Sequence, residues 1–183
     1  ISMQATFRTD VLQNRNNVQI IERWDALNLT DGWLVAGCLF QTVWNVLSAQ
    51  PPESKIKDYD FFYFDPADLS EAAESAVQRH VETVLADLGI TVEVANQARV
   101  HLWFQNRFGE PYAPLHSTDE ALGRFVAPTF AVGVRLEADD AMTIHAPFGL
   151  DDVFALRMRH NPARRSPNFD RVAERAKARW PEL

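Results

Sequence analysis

Residues 58–64 read Asp58-Tyr59-Asp60-Phe61-Phe62-Tyr63-Phe64 and are the most informative part of the sequence about the fold. Its aromatic residues are of the type enriched in β-strands, so the stretch predicts a strand in the interior of a sheet. Successive side chains of a strand point to opposite faces, which places Asp58 and Asp60 on one face about 6 to 7 Å apart. Two such carboxylates repel each other, and Mg²⁺ is a natural ion to neutralise them. The same pattern also fits an edge strand whose acidic face lies in water.

The residues upstream predict a second strand that leads through a tight turn into a helix. Residues 33–36 are apolar and end at Gly37, and residues 38–49 carry apolar side chains at helical spacing. Such a turn brings backbone N–H groups and the positive end of the helix dipole to a bound phosphate. Gly37 and Cys38 are therefore candidate phosphate-binding residues, although a glycine at a strand-to-helix turn is also common for purely steric reasons.

Apolar periodicity and capping patterns predict the remaining elements. We expect one or two helices within residues 7–27 and further helices at 68–89, capped by Asp68, from 117, and at 169–180. Strands are expected at 130–136 and at 90–94 and 98–104, the last two being either separate strands or one strand interrupted at Asn96-Gln97. Together these elements predict an α/β (α+β) fold, a small mixed sheet flanked by helices. Because no linker divides the chain, we expect residues 1–183 to form a single domain with a helical N-terminal segment and a basic C-terminal helix.

Glu93 is the candidate for a third carboxylate beside Asp58 and Asp60. It has apolar neighbours on both sides, as a strand residue that faces a site would. The alternative is an exposed strand residue, in which case Asp65 and Glu74 are the substitutes. Asp58, Asp60 and Glu93 are therefore the candidate catalytic and metal-binding residues.

Arg99 and His101 lie two positions apart in the predicted strand 98–104, so they should share a face. The forked guanidinium of Arg99 suits a triphosphate, and His101 suits a hydrogen bond to substrate or to a metal-bound group. The alternatives are a carboxylate partner for Arg99 and a structural role for His101. Lys55 and Lys57 precede the Asp strand and lie either near a triphosphate or in solvent.

Charge and composition exclude some classes of function. Eighteen Lys and Arg against 25 Asp and Glu give a net charge of -7, which argues against broad DNA or RNA coating. From Asp151 onward the balance is 8 - 5 = +3, so the remainder carries -7 - 3 = -10. The basic tail either meets an acidic partner or forms a solvated face. The single cysteine excludes an internal disulfide and a thiolate-rich zinc site; with no apolar run long enough for a membrane, a cytoplasmic location is expected.

These motifs resemble the polymerase-beta-like nucleotidyltransferase superfamily. Its hallmark is a Gly-Ser or Gly-Gly turn, then a strand with Asp-x-Asp or Asp-x-Glu, and a third acidic strand residue. More closely, the region from Trp33 to Pro181 looks like a bacterial nucleotidyltransferase-like family. That likeness rests on Ile56–Asp60, Tyr63–Asp65, Asn96–Trp103 and Pro147–Asp152. Two features depart from the superfamily pattern: Cys38 stands where Ser or Gly is usual, and the interval from Gly37 to Asp58 is longer.

The resemblance implies a magnesium-dependent nucleotidyltransferase. Asp58, Asp60 and the third carboxylate would hold two Mg²⁺ ions, and a nucleoside monophosphate would pass from an NTP to a hydroxyl on a small molecule, a protein or an RNA. Pyrophosphate would leave. One alternative is a catalytically degenerate module that binds a nucleotide or a protein partner without turnover, which Cys38 would explain. A third possibility is a metal-dependent phosphohydrolase that uses the same carboxylates.

Overall fold

A five-stranded mixed sheet organises the chain, and a computed structural model describes all of residues 1–183. The strands are β1 (Trp33–Val35), β2 (Tyr59–Tyr63), β3 (Val92–Asn96), β4 (Gly133–Leu136) and β5 (Met142–His145). Their order across the sheet is β3-β2-β1-β4-β5. Only β2 and β3 run parallel; the other neighbours are antiparallel. The predicted α/β class with a mixed sheet is confirmed, and β2 lies in the interior of that sheet.

Helices surround this sheet. They are α1 (Met3–Val11), α2 (Arg15–Glu22), α3 (Trp24–Leu27), α4 (Gly37–Leu47), α5 (Glu71–Val84), α6 (Val100–Phe108), α7 (Thr118–Leu122), α8 (Asp151–Phe154) and α9 (Phe169–Arg179). Short 3₁₀ turns occupy Ala86–Leu88, Gln97–Arg99 and Pro128–Phe130. No helix is both long and apolar enough to cross a lipid bilayer.

The two faces of β2 have different neighbours. Tyr59, Phe61 and Tyr63 are buried on one face, where the Tyr59 hydroxyl accepts a hydrogen bond from Asn14 at 3.0 Å. The N-terminal helices therefore cover this face. On the opposite face Asp60 and Phe62 are only partly buried. Successive side chains of β2 alternate between the two faces, so the face that carries Asp60 and Phe62 is available for a site.

The predicted strand over residues 98–104 is wrong, because this segment leaves the sheet and forms a 3₁₀ turn and then α6. The side chain of Asn96 accepts a hydrogen bond from the Ala98 N–H at 3.1 Å, which caps the turn. Beyond it, Val100, Trp103 and Phe104 follow helical spacing, with apolar groups three and four residues apart. The single-face argument for Arg99 and His101 therefore fails.

Several element boundaries also differ from the sequence-based expectation. Helix α5 is capped by Ser70, whose hydroxyl accepts from the Ala73 N–H at 3.1 Å, whereas Asp68 accepts from the Ser70 N–H at 3.0 Å in the preceding turn. The α-helix ends at Val84, and a 3₁₀ turn reaches Gly89 at φ 65°. Three helices rather than one or two fill the N-terminal region. Strand β4 begins later than expected, and β5 and α8 are additional elements.

The end of helix α9 is hydrogen-bonded to α4, which in turn contacts the segment between α4 and β2. The Trp180 indole N–H donates to Oδ1 of Asn45 at 2.9 Å, and its ring meets Trp44 edge-on at 5.4 Å. The side chain of Asn45 in turn donates to the carbonyl oxygens of Pro52 and Ser54 at 3.0 and 2.7 Å. This network places the C-terminal end of α9 beside the approach to Asp58.

Candidate active site

Three carboxylates meet where β2 and β3 run side by side. Asp58 lies immediately before β2, Asp60 is its second residue, and Glu93 is directly opposite Asp60 in the parallel pairing. Facing residues of paired strands project to the same side of a sheet. Donor oxygens of the three side chains all lie within 4.8 Å of one another. The structure thus brings Glu93, the candidate third carboxylate, to the two aspartates.

The environment of Asp60 disfavours its charged form. Burial, and after it the charges of Asp58 and Glu93, raise the pKa of Asp60 from 3.8 to about 7. Its Oδ1 atom is buried and has no hydrogen-bond partner. A buried carboxylate oxygen without a partner is costly, and oxygen clusters of this type are the ligands of hard divalent cations. The cluster therefore fits a divalent metal ion.

The turn between β1 and α4 lies next to Asp60, because Val35 at the end of β1 pairs with Asp60. Ala36 adopts φ 59° and ψ -119°, a conformation that L-residues rarely occupy, and its N–H donates to the carbonyl of Val132 at 2.9 Å. Helix α4 then starts at Gly37 without a side-chain cap. The first N–H groups of a helix have no partner within it, so this end can donate to an anion.

Cys38 points its side chain into the core. The thiol is fully buried and donates a weak hydrogen bond to the carbonyl of Val35 at 3.8 Å. Burial, and next the charge of Asp60, raise the pKa of the Cys38 thiol well above its usual value. The sulfur is thus withdrawn from the surface that a phosphate would approach. Only the backbone of Cys38 remains at the open end of α4.

Arg99 and His101 lie in other surroundings. Arg99 is buried and binds Glu74 through an Nη1–Oε1 contact of 2.7 Å, and its Nε donates to the carbonyl of Leu69 at 2.8 Å. This is the carboxylate pairing that the sequence left open as the alternative. His101 lies on α6, where its buried Nδ1 has no hydrogen-bond partner. Neither residue belongs to the cluster of carboxylates.

The two substitutes for Glu93 have local roles. Glu74, besides binding Arg99, accepts a hydrogen bond from the Asn96 N–H at 2.8 Å. Asp65 accepts one from the Ala67 N–H at 3.0 Å. Both carboxylates are thus engaged outside the cluster.

Arg179 is a neighbour of the cluster that sequence reasoning missed. Burial lowers the pKa of its guanidinium, and the nearby charge of Asp58 opposes that shift. The ammonium of Lys55 donates to the carbonyl of Arg179 at 2.6 Å, and the Arg179 guanidinium donates back to the carbonyl of Lys55. The spacing of Arg171, Arg175 and Arg179 along one side of a helix is the signal that could have indicated this basic stripe.

Comparison with known proteins identifies the family. A model of a nucleotidyltransferase family matches residues 22–183. The chain belongs to this nucleotidyltransferase family. A solved NMR structure, described as revealing a CCA-adding enzyme head domain, matches with a TM-score of 0.66 and 23% identity, over 92% of this chain and 81% of that one. At this identity the likeness shows the nucleotidyltransferase fold. Among curated proteins, none matches the chain.

Proposed function

We propose that this protein is a magnesium-dependent nucleotidyltransferase that moves a nucleoside monophosphate from an NTP to a hydroxyl acceptor. The observation that carries the proposal is the cluster of Asp58, Asp60 and Glu93, whose donor oxygens lie within 4.8 Å of one another. Membership of the nucleotidyltransferase family supplies the reaction class.

Asp58, Asp60 and Glu93 would hold Mg²⁺, with two ions as the expected number. The unpartnered Oδ1 of Asp60 and the raised pKa of this residue support a cation at this position. Bound there, Mg²⁺ would neutralise charge on the phosphates of the NTP and on the transferring group.

The residues around the cluster have distinct tasks in this proposal. The open N-terminus of α4 at Gly37 binds the departing phosphates through backbone N–H groups. Glu93, the exposed member of the cluster, orients the acceptor hydroxyl and takes its proton. The hydroxyl oxygen bonds to the α-phosphorus while the bond from that phosphorus to the bridging oxygen breaks. Pyrophosphate leaves with the electron pair, and the proton on Glu93 passes to water.

The second candidate function is a degenerate module that binds a nucleotide or a protein partner without turnover. Cys38 favours it, because its thiol stands where the superfamily has Ser or Gly and is buried. The open backbone at the start of α4 favours the transferase instead, because N–H groups can bind phosphate without a side-chain hydroxyl.

The test is a transfer assay with NTPs labelled on the α-phosphate, incubated with Mg²⁺ and, separately, with the small-molecule, RNA and protein fractions of a cell extract. We expect label in a new product and matching release of pyrophosphate. An Asp60→Asn variant should transfer label about a hundredfold more slowly, because a group that stabilises transition-state charge is lost. Asp65→Asn, which changes an acid outside the cluster, is the matched control and should retain transfer. Nucleotide binding without transfer would support the degenerate module, and label released only as the free monophosphate would support a phosphohydrolase.

A further inference from the structure

A cavity of about 340 Å³ lies on the same face of the sheet as the carboxylate cluster. Its floor includes Phe62 and Ala95, which pair with each other across β2 and β3. Phe62 is two residues beyond Asp60, and Ala95 is two residues beyond Glu93. Residues two apart on a strand share a face and are about 6 to 7 Å apart. The cavity therefore begins one such step from the cluster.

The cavity lies on the opposite side of Asp60 from the start of α4. Because β1 is antiparallel to β2, Trp33 pairs with Phe62 and Val35 pairs with Asp60. The chain leaves β1 after Val35, so Gly37 lies beyond Asp60, on the side away from Phe62. Arg179, which is hydrogen-bonded to Lys55 just ahead of Asp58 in the chain, belongs to that same side.

The geometry of phosphoryl transfer decides which substrate this cavity would take. The attacking and leaving oxygens lie roughly in line on opposite sides of the phosphorus. If pyrophosphate leaves toward Gly37, the acceptor must enter from the direction of Phe62 and Ala95. The nucleoside of the NTP is joined to the α-phosphorus through a third oxygen, which lies off the line between the attacking and leaving oxygens. The position in line with the leaving group, on the side of the cavity, is therefore that of the acceptor.

The lining of the cavity indicates the chemistry of that acceptor. Hydrophobic residues form most of it, and six of the 17 lining residues are aromatic, including Trp103, Phe104 and Tyr112. The ring centroids of Phe104 and Tyr112 are 4.4 Å apart. Such walls suit an apolar ring. Two of the lining arginines are already paired, since Arg124 binds Glu120 at 3.0 Å and Arg164 binds Glu110 at 3.1 Å.

Arg171 is different, because it lines the cavity as an exposed residue whose guanidinium has neither a hydrogen bond nor a carboxylate partner. An unpaired guanidinium favours an anionic group on a ligand. The volume is at the small end of the range of roughly 300 to 1,000 Å³ found for small-molecule pockets, which favours a compact acceptor.

We propose that the cavity is the acceptor site, and that the acceptor is a small molecule with a hydroxyl group, an apolar ring and one anionic group that binds Arg171. The assignment rests on the proposed transferase function. It deepens that function by choosing a small molecule over a protein or an RNA.

The test uses 1-anilinonaphthalene-8-sulfonate as a probe, because it combines apolar rings with one anion. We expect wild-type protein to bind one probe molecule with a rise in fluorescence. Arg171→Gln and Trp103→Ala should each weaken binding about tenfold, the equivalent of one charged hydrogen bond or one ring contact. Arg175→Gln and Leu102→Ala are the matched controls. Each lies on the same helix as its partner variant and does not line the cavity, so binding should stay within about twofold.

A second titration, with saturating Mg²⁺ and NTP, separates the acceptor from the donor. We expect the probe to bind equally well with and without the nucleotide. Displacement of the probe by NTP would assign the cavity to the donor and overturn the proposal, as would a probe affinity that Arg171→Gln and Trp103→Ala leave unchanged. In the transfer assay the two cavity variants should lose label transfer while keeping wild-type affinity for NTP. A folded wild type that binds the probe but no NTP would instead overturn the transferase function itself.

Discussion

Asp60 suits metal binding but lowers the stability of the ion-free fold. Its carboxyl lies between Asp58 and Glu93, one of its oxygens is buried without a partner, and its pKa is raised to about 7. Metal-binding clusters commonly hold like charges close together and are relieved when the cation binds. The residue should therefore lower the stability of the ion-free protein at neutral pH.

The pH dependence of stability tests this directly. Because the folded pKa of about 7 is above the ordinary value of 3.8, the folded protein keeps a proton that the unfolded chain loses as pH rises from about 4 to 7. Stability falls across that window, and the loss is complete above it. Asp60→Asn should raise the free energy of unfolding by about 2 kcal/mol near pH 8, a figure reduced for partial exposure, and by almost nothing near pH 4. Urea unfolding in EDTA measures the difference. A gain of equal size at both pH values would contradict the assignment.

Cys38 acts through packing. Its thiol is buried against the carbonyl of Val35, so Cys38→Ser should destabilise the fold by about 1 to 2 kcal/mol, since a more polar hydroxyl is then buried. The affinity for Mg²⁺ and NTP should remain within about twofold, because the side chain is withdrawn from the site. Cys38→Ala is the control for the loss of sulfur packing. A large gain in nucleotide affinity in Cys38→Ser alone would instead mean that a hydroxyl at this position reaches the phosphate.

At the level of elements, the buried pair of Arg99 and Glu74 joins the turn after β3 to α5. The side chain of Arg99 is 9% exposed and that of Glu74 is 24% exposed. Removing one partner of a buried ion pair leaves the other charge uncompensated. The pair should therefore support the turn at the end of β3, where Glu74 accepts a hydrogen bond from the Asn96 N–H.

Arg99→Ala should accordingly lower the free energy of unfolding by about 3 to 5 kcal/mol, as expected when a buried charge loses its partner. The pair of Arg15 and Glu53 is the control, because the Arg15 side chain is 88% exposed, and Arg15→Ala should change stability little. Thermal unfolding of both variants compares the two sites. At a temperature where Arg99→Ala is folded, its affinity for NTP should be close to wild type, because Arg99 lies outside the carboxylate cluster. A stable Arg99→Ala variant that no longer binds NTP would restore the phosphate-binding role expected from the sequence.

The segment 98–104 shows why one element was assigned to the wrong class. Its residues alternate well enough to fit a strand, but Val100, Trp103 and Phe104 also fit one side of a helix. The cap formed by Asn96 decides between the two, because its side chain satisfies the Ala98 N–H and directs the chain out of the sheet. A short apolar run fits both the strand repeat of two residues and the helix repeat of 3.6 residues, so it does not identify the element. The longer apolar stripe of α5 fits only a helix and could be predicted.

Across the whole molecule, the sequence predicted the fold class and the strand that begins directly after Asp58 and carries Asp60, since both follow from local patterns. It named Glu93 only as a candidate, because its place beside Asp60 depends on the parallel register of β2 and β3. The approach of Arg179 to Asp58 was beyond prediction for the same reason, since more than 100 residues separate them in the chain. Long-range pairing, rather than residue type, was the missing information.

The basic helix α9 and the acidic carboxylate cluster lie in different parts of the sequence but approach each other in the fold. The acidic part of the chain contains the carboxylate cluster, and the basic helix α9 extends from the cavity at Arg171 to the neighbourhood of Asp58 at Arg179. The sequence left open whether this helix meets an acidic partner or solvent. Within the chain, burial lowers the pKa of Arg179 at the end of this helix, and the charge of Asp58 opposes that shift.

The proposed function requires the carboxylate cluster to bind an NTP through Mg²⁺. Calorimetric titration of each common ribonucleoside triphosphate, with and without Mg²⁺, into wild type and an Asp58→Asn, Asp60→Asn double variant tests it most directly, with Asp65→Asn as the control. We expect magnesium-dependent binding to wild type and the control, and loss of that binding in a folded double variant. Absence of binding to folded wild type, or equal binding to the double variant, would contradict it.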